Sequence, residues 1–113
     1  MSDDIHIEPA EGVWVVRAAG AVIAETRAAK ALVAGASGPV IYFPREDIAM
    51  LFLDTSPRNE DVPGRGPTEY FHVSTPGGHV EDAGWSHTAP DPAVALLVGH
   101  VAFDASRVAV ERV

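Results

Sequence analysis

The chain contains no cysteine. Disulfides, thiolate nucleophiles and cysteine-ligated zinc are excluded together, and the composition fits a reducing, cytoplasmic setting. Basic residues are scarce too: 8 Lys and Arg stand against 16 Asp and Glu, for a net charge of −8. A nucleic-acid backbone or an anionic membrane surface needs a basic footprint, so neither is expected as a partner. No apolar run approaches the length that spans a bilayer, and the acidic opening Met1-Ser2-Asp3-Asp4 is not the start of a signal peptide. Phosphate-binding patterns are missing, both Gly-x-Gly-x-x-Gly and the Walker type, as is a Gly-x-Ser-x-Gly elbow; no cofactor is predicted. Five histidines, His6, His72, His79, His87 and His100, show no His-x-x-x-His or other compact spacing, so no metal centre is predicted.

What is present is the make-up of an ordinary folded domain, 113 residues with 47% hydrophobic and 21% charged side chains. One domain over 1–113 is expected, with 1–10 a frayed end. Val13–Arg17 and Val22–Thr26 are β-branched segments flanking Gly20 and predict a hairpin. Arg27–Leu32 fits either a short helix or a strand, and Gly35–Pro39 a loop. Val40-Ile41-Tyr42-Phe43 is a buried strand that Pro44 ends or bends, and an apolar run resumes at Ile48. The stretch Asp54–Pro67, rich in proline, glycine and charge, is expected to be a long loop. Glu69–Ser74 and His79–Ala83 form a second hairpin across Thr75-Pro76-Gly77-Gly78. Closing it with Ser74 opposite His79 pairs Val73 with Val80, His72 with Glu81 and Phe71 with Asp82. Asp82 would then sit at the edge of the core face, with Arg45 as its cationic partner. Asp91-Pro92 starts and Gly99 stops a short helix that is apolar all round and therefore buried, near residues 92–98. His100–Phe103 and Arg107–Glu111 close the chain as strands around Asp104-Ala105-Ser106. The fold expected is mainly β.

Chemistry concentrates at a few positions. Arg45, Glu46 and Asp47 are trapped between two core-forming runs, and serve as an ion-pair network, a ligand clamp or part of an acid-base set. Adjacent carboxylates on a strand point to opposite sides, so Glu46 and Asp47 pair on a ligand only if the backbone turns there. His87 follows Trp85 in a polar, irregular segment close to Asp82, which makes it the histidine to place in a pocket. Tyr42 and Trp85 supply aromatic walls, and Arg65 lies between Gly64 and Gly66, which allow a ligand close to the backbone.

Taken together, Tyr42-Phe43-Pro44-Arg45-Glu46-Asp47-Ile48, Pro63-Gly64-Arg65-Gly66, Val80-Glu81-Asp82-Ala83-Gly84-Trp85-Ser86 and Gly99-His100-Val101-Ala102-Phe103 resemble a bacterial member of the family catalogued as domain of unknown function 427. The resemblance runs from Trp14 to Val110. It implies two antiparallel sheets in a β-tent or sandwich-like arrangement and brings no established activity. Where family members commonly read Cys-Pro-Tyr-Lys-Gly, this chain has Val62-Pro63-Gly64-Arg65-Gly66, and it has His87 where tyrosine is frequent. If the family's chemistry depends on that cysteine as a nucleophile, this chain lacks it; if the cationic position matters, Arg65 can still serve. The nucleotidyltransferase label sometimes attached to such domains needs a Gly-Ser and separated-aspartate metal pattern, which is absent.

The function expected is binding of a small polar or anionic ligand near the Tyr-Phe-Pro-Arg-Glu-Asp block, through Tyr42, Arg45, Glu46, Asp47, Arg65 and Trp85. One alternative is a small enzyme with His87 as general base oriented by Asp82. Another is an interaction module or homodimer.

Overall fold

The computed structural model describes residues 5–35 and 38–113. Among them ten strands run in chain order: β1 (Ile5–Pro9), β2 (Trp14–Ala18), β3 (Ala21–Thr26), β4 (Lys30–Ala34), β5 (Val40–Pro44), β6 (Leu53–Val62), β7 (Gly66–Thr75), β8 (Gly78–His87), β9 (His100–Phe103) and β10 (Ala109–Arg112). They form two antiparallel sheets, one ordered β1-β4-β5-β9-β8-β7-β6 and the other β10-β2-β3. The only helical segments among the described residues are short 3-10 turns.

Strand β5 is buried on both faces, which is why its sequence does not alternate with polar residues. Phe43 points between the sheets with no exposed surface, packing edge-on against Phe103 at 5.8 Å and 78°. Val16, Ile23, Val73 and Val101 surround this pair in the inter-sheet core. Burying one such side chain contributes about 1.5–3 kcal/mol. Tyr42, one residue earlier, points to the opposite face and packs with Leu32, Val94, Leu97 and Ala102.

After Pro44 the chain leaves the sheet in a 3-10 turn over Arg45–Asp47, and this turn fastens the two sheets together. The Asp47 carboxylate accepts a 2.7 Å hydrogen bond from the Thr26 hydroxyl on β3. The Ala49 N–H donates to the Ile23 carbonyl at 2.8 Å, and Ile48 bridges to Ala24. Arg45 lies over the Phe71 ring, 5.4 Å from its centroid, and donates to Glu69 at 3.0 Å. Asp82 therefore does not receive Arg45 as its partner.

Several expectations are corrected. Asp54–Pro67 is not a loop: most of it belongs to β6 and the start of β7, with Val62 opposite Gly66 across a three-residue connection. Its proline and charges suit an edge strand, where one side of the ladder is unpaired and Pro57 is tolerated at an irregularity in register. The second hairpin pairs Val73 with Val80 and Ser74 with His79 as expected, but Phe71 then pairs with Gly84 and not Asp82. Residues 81–83 bulge out, with Asp82 at φ +48°, which carries its side chain off the core face. The segment Pro92–Leu97 is a kinked 3-10 helix without a side-chain cap from Asp91; Val94 and Leu97 are buried but Leu96 is 62% exposed. Strands β9 and β10 do not pair with each other and enter different sheets. Lys30–Ala34 is a strand, settling the ambiguity at Arg27–Leu32. At the amino end, β1 pairs with β4 from Ile5 onward; residues 1–4, and positions 36 and 37 of the expected loop, lie outside the described residues.

Thr26→Val keeps shape and burial but removes the donor to Asp47. Hydrogen bonds to charged groups contribute about 1.5–3 kcal/mol, and a loss of that size is expected by urea denaturation at pH 7. An unchanged midpoint would show that the clasp does not hold the sheets.

Candidate functional site

The outer face of the large sheet carries a row of cross-strand neighbours. Tyr42 on β5 is opposite Ala102 on β9, Ala102 is opposite Trp85 on β8, and Trp85 is opposite Tyr70 on β7. Adjacent strands lie about 4.8 Å apart, so the small Ala102 leaves open space between two large aromatics. Above it, the Trp85 indole N–H donates to the Tyr42 hydroxyl at 3.3 Å. The next row pairs Thr68 with His87.

These side chains form a hydrogen-bonded chain whose direction is determined by its ends. Thr68 donates its hydroxyl proton to the Gly66 carbonyl at 3.0 Å, so its oxygen accepts from His87 Nδ1–H at 2.8 Å. His87 Nε2 is left as an acceptor and takes the Tyr42 O–H at 2.7 Å. A neutral His87 protonated on Nδ1 satisfies every member. Electrostatics agree with this assignment: burial first, and then the charge of Arg65, lowers the His87 imidazole below its ordinary range. Burial likewise raises the Tyr42 phenol, against the opposing pull of the Trp85 N–H and Arg65. Both protons stay where the chain places them.

Gly66 sets up this corner. Its φ of +98° favours glycine, and a Cβ there would lie 2.7 Å from the Ala89 carbonyl oxygen. The preceding connection has Pro63 and then Gly64 at φ +78°, with Arg65 N–H bonded to the Val62 carbonyl at 2.9 Å. The hairpin tip thus brings Arg65 to the end of the His87 row.

Together these elements enclose a cavity of about 350 Å³ lined by residues that include Tyr42, Arg65, Thr68, Tyr70, Trp85 and His87. Arg58 and Asp82 also line it. Arg58 stacks on Tyr70 at 4.0 Å, bonds Glu60 at 3.0 Å and stands 3.7 Å from Asp82. His72 Nδ1 accepts the Asp82 backbone N–H at 3.0 Å, which fixes the bulge. Arg65 differs: its guanidinium contacts only its neighbour's carbonyl and makes no ion pair among the described residues.

A family model matches residues 6–113. The chain belongs to the DUF427 family, a domain of unknown function. Comparison with curated proteins gives no match. Among the described residues of this DUF427 domain no helix is long and apolar enough to cross a membrane. Of the positions at which it departs from the pattern it resembles, Val62, Arg65 and His87 line this cavity, while Gly64 lies outside its lining.

Of the residues singled out from sequence, the cavity of this domain gathers Tyr42, Arg65, Asp82, Trp85 and His87 and leaves out Arg45, Glu46 and Asp47, which lie at the joint between the sheets. His87 and Asp82 share the cavity without sharing a hydrogen bond; Thr68 and Tyr42 occupy the ring nitrogens. Arg58, Thr68 and Tyr70 were missed. Thr68 and Tyr70 alternate with Phe71 and Val73 along β7, so their outward direction was legible once that core face was assigned. Arg58 was hidden by the loop assignment. Among the described residues no three His, Asp or Glu side chains converge to hold a metal. A second hollow of about 420 Å³, between Ile7, Ala10, Ala29 and Leu96, lacks such a hydrogen-bonded wall.

His87 and His100 both have imidazoles lowered mainly by burial. The unfolded chain therefore binds protons at a higher pH than the native one, and stability falls as pH drops below about 6.5. Unfolding free energy measured from pH 7.5 to 5 should decline in the natural protein. The decline should be shallower in His87→Gln, with His100 supplying what remains. Equal slopes would remove His87 as a contributor.

Proposed function

We propose that this domain binds a small anionic ligand with a planar portion in the cavity between β5, β6, β7 and β8. The observation that carries the reading is Arg65, a cation without an ion-pair partner among the described residues, at the end of an aromatic-lined hollow in a protein of net charge −8. An arginine placed for structure would be expected to have a carboxylate, as Arg45 has Glu69 and Arg58 has Glu60. Tyr70 and Trp85, 6.5 Å apart and inclined at 47°, offer apolar surface for a flat ring. The bonded Tyr42, His87 and Thr68 form a rigid polar wall that limits how much order the ligand must impose.

Purified protein is screened by thermal shift against aromatic carboxylates and sulfonates, nucleotides and sugar phosphates. A ligand at a hundred times its dissociation constant adds about 2.7 kcal/mol of stability. Arg65→Gln should abolish the hit while leaving the unliganded melting temperature nearly unchanged. Arg45→Ala should lower that temperature and keep the hit. Binding lost in Arg45→Ala but retained in Arg65→Gln would move the site to the joint between the sheets and overturn the reading.

A further inference from the structure

The hydrogen-bonded chain behind the cavity is polar in one direction, and that direction has a consequence for the ligand. Tyr42 now spends its only proton on His87 Nε2, while its oxygen already accepts from the Trp85 N–H. In this state the phenol has nothing to donate to the cavity it lines. A proton added to His87 enters at Nε2, because Nδ1 already holds one directed at Thr68. The 2.7 Å contact then reverses: imidazolium Nε2–H donates to the Tyr42 oxygen, and the Tyr42 O–H turns away. The oxygen would then accept from both Trp85 and His87, leaving its proton to point into the cavity.

We infer that the site takes up its anion together with one proton, which lodges on His87 Nε2 and frees the Tyr42 hydroxyl to hydrogen-bond the ligand. The inference rests on the binding reading above and names Tyr42 as the specificity-determining donor. The charges around His87 support the coupling. Arg65 on the hairpin tip opposes imidazolium formation, and an anion seated against Arg65 cancels that opposition. The other charged or titratable groups of the cavity are Arg58 on β6, Tyr70 on β7, Asp82 on β8 and Asp104 after β9. Asp91 lies beyond Gly66, and His100 on β9 is engaged by Lys30 at 3.1 Å. Arg58 is held by Glu60, and Asp104 by the Ser106 hydroxyl at 2.6 Å and the Ser106 N–H at 2.9 Å. Arg65 is therefore the charge that couples ligand to proton. The ligand class is an acid whose anion presents an acceptor oxygen to both Arg65 and Tyr42.

The test uses benzenesulfonate, a flat anion that does not titrate, with affinity measured by calorimetry from pH 8.5 to 5.5. The natural protein should bind more tightly as pH falls, approaching about tenfold per pH unit where a full proton is taken up. Heats in buffers of different ionisation enthalpy should report the same proton. In His87→Gln, whose side chain does not titrate, affinity should be independent of pH. In Tyr42→Phe the gain in affinity between pH 8.5 and 5.5 should be smaller than in the natural protein, because the donor that protonation of His87 frees is missing. Binding that needs Arg65 but does not vary with pH would overturn proton uptake and leave the binding reading standing. A failure of benzenesulfonate to bind at any pH, or binding indifferent to Arg65→Gln, would overturn both.

Discussion

The structure depends on one constraint, the burial of strand β5 on both of its faces. Phe43 must be dry to hold the two sheets together, and Tyr42 must be dry because a second layer of side chains covers the outer face. A phenol in that position carries a hydroxyl that costs free energy unless it is bonded. Trp85 and His87 meet this need, and Thr68 in turn meets that of His87. The polar wall of the cavity is thus a consequence of placing a tyrosine where a sheet of this kind requires an apolar surface.

The same strand separates two kinds of work that are adjacent in sequence. Up to Pro44 its residues line the core and the cavity; beyond Pro44 Arg45 reaches β7 of the same sheet and Asp47 reaches β3 of the other. Arg45 and Asp47 have their partners in Glu69 and Thr26, both supplied by strands. Glu69 neutralises the charge of Arg45, and the Asp47 carboxylate is held by the Thr26 hydroxyl. Arg65 is the contrast, a cation at a hairpin tip whose surroundings are aromatic and hydroxylic. Position relative to the sheet, rather than closeness in sequence to Tyr42, decides which arginine is available.

Much of this was legible in the sequence. The hairpins at Gly20 and at Thr75–Gly78 follow from turn chemistry between β-branched runs, and Val73 does pair with Val80. Tyr42, Trp85, His87, Arg65 and Asp82 were singled out and share one cavity. What was illegible had physical causes. An edge strand has no need of apolar alternation, so β6 looked like a loop. A bulge adds residues without announcing them, so Phe71 was paired with Asp82 where Gly84, two residues further on, stands. The direction in which Arg45, Glu46 and Asp47 turn depends on a small sheet whose last strand comes from the other end of the chain. And the apolar run at Ala93–Val98 promised burial on all sides where a 3-10 turn covers the sheet with only Val94 and Leu97.

The position of β9 carries a further implication. This short strand, residues 100–103, sits between β5 and β8 and is the seam joining β1-β4-β5 to β8-β7-β6. Both halves precede it in the chain, so the large sheet is two separate pieces until β9 inserts. Tyr42 belongs to one piece, and Thr68, Trp85 and His87 to the other. Closing a seam between segments this distant in sequence is slow relative to hairpin formation. The cavity is therefore absent from any partly folded chain in which the hairpins exist but the seam is open.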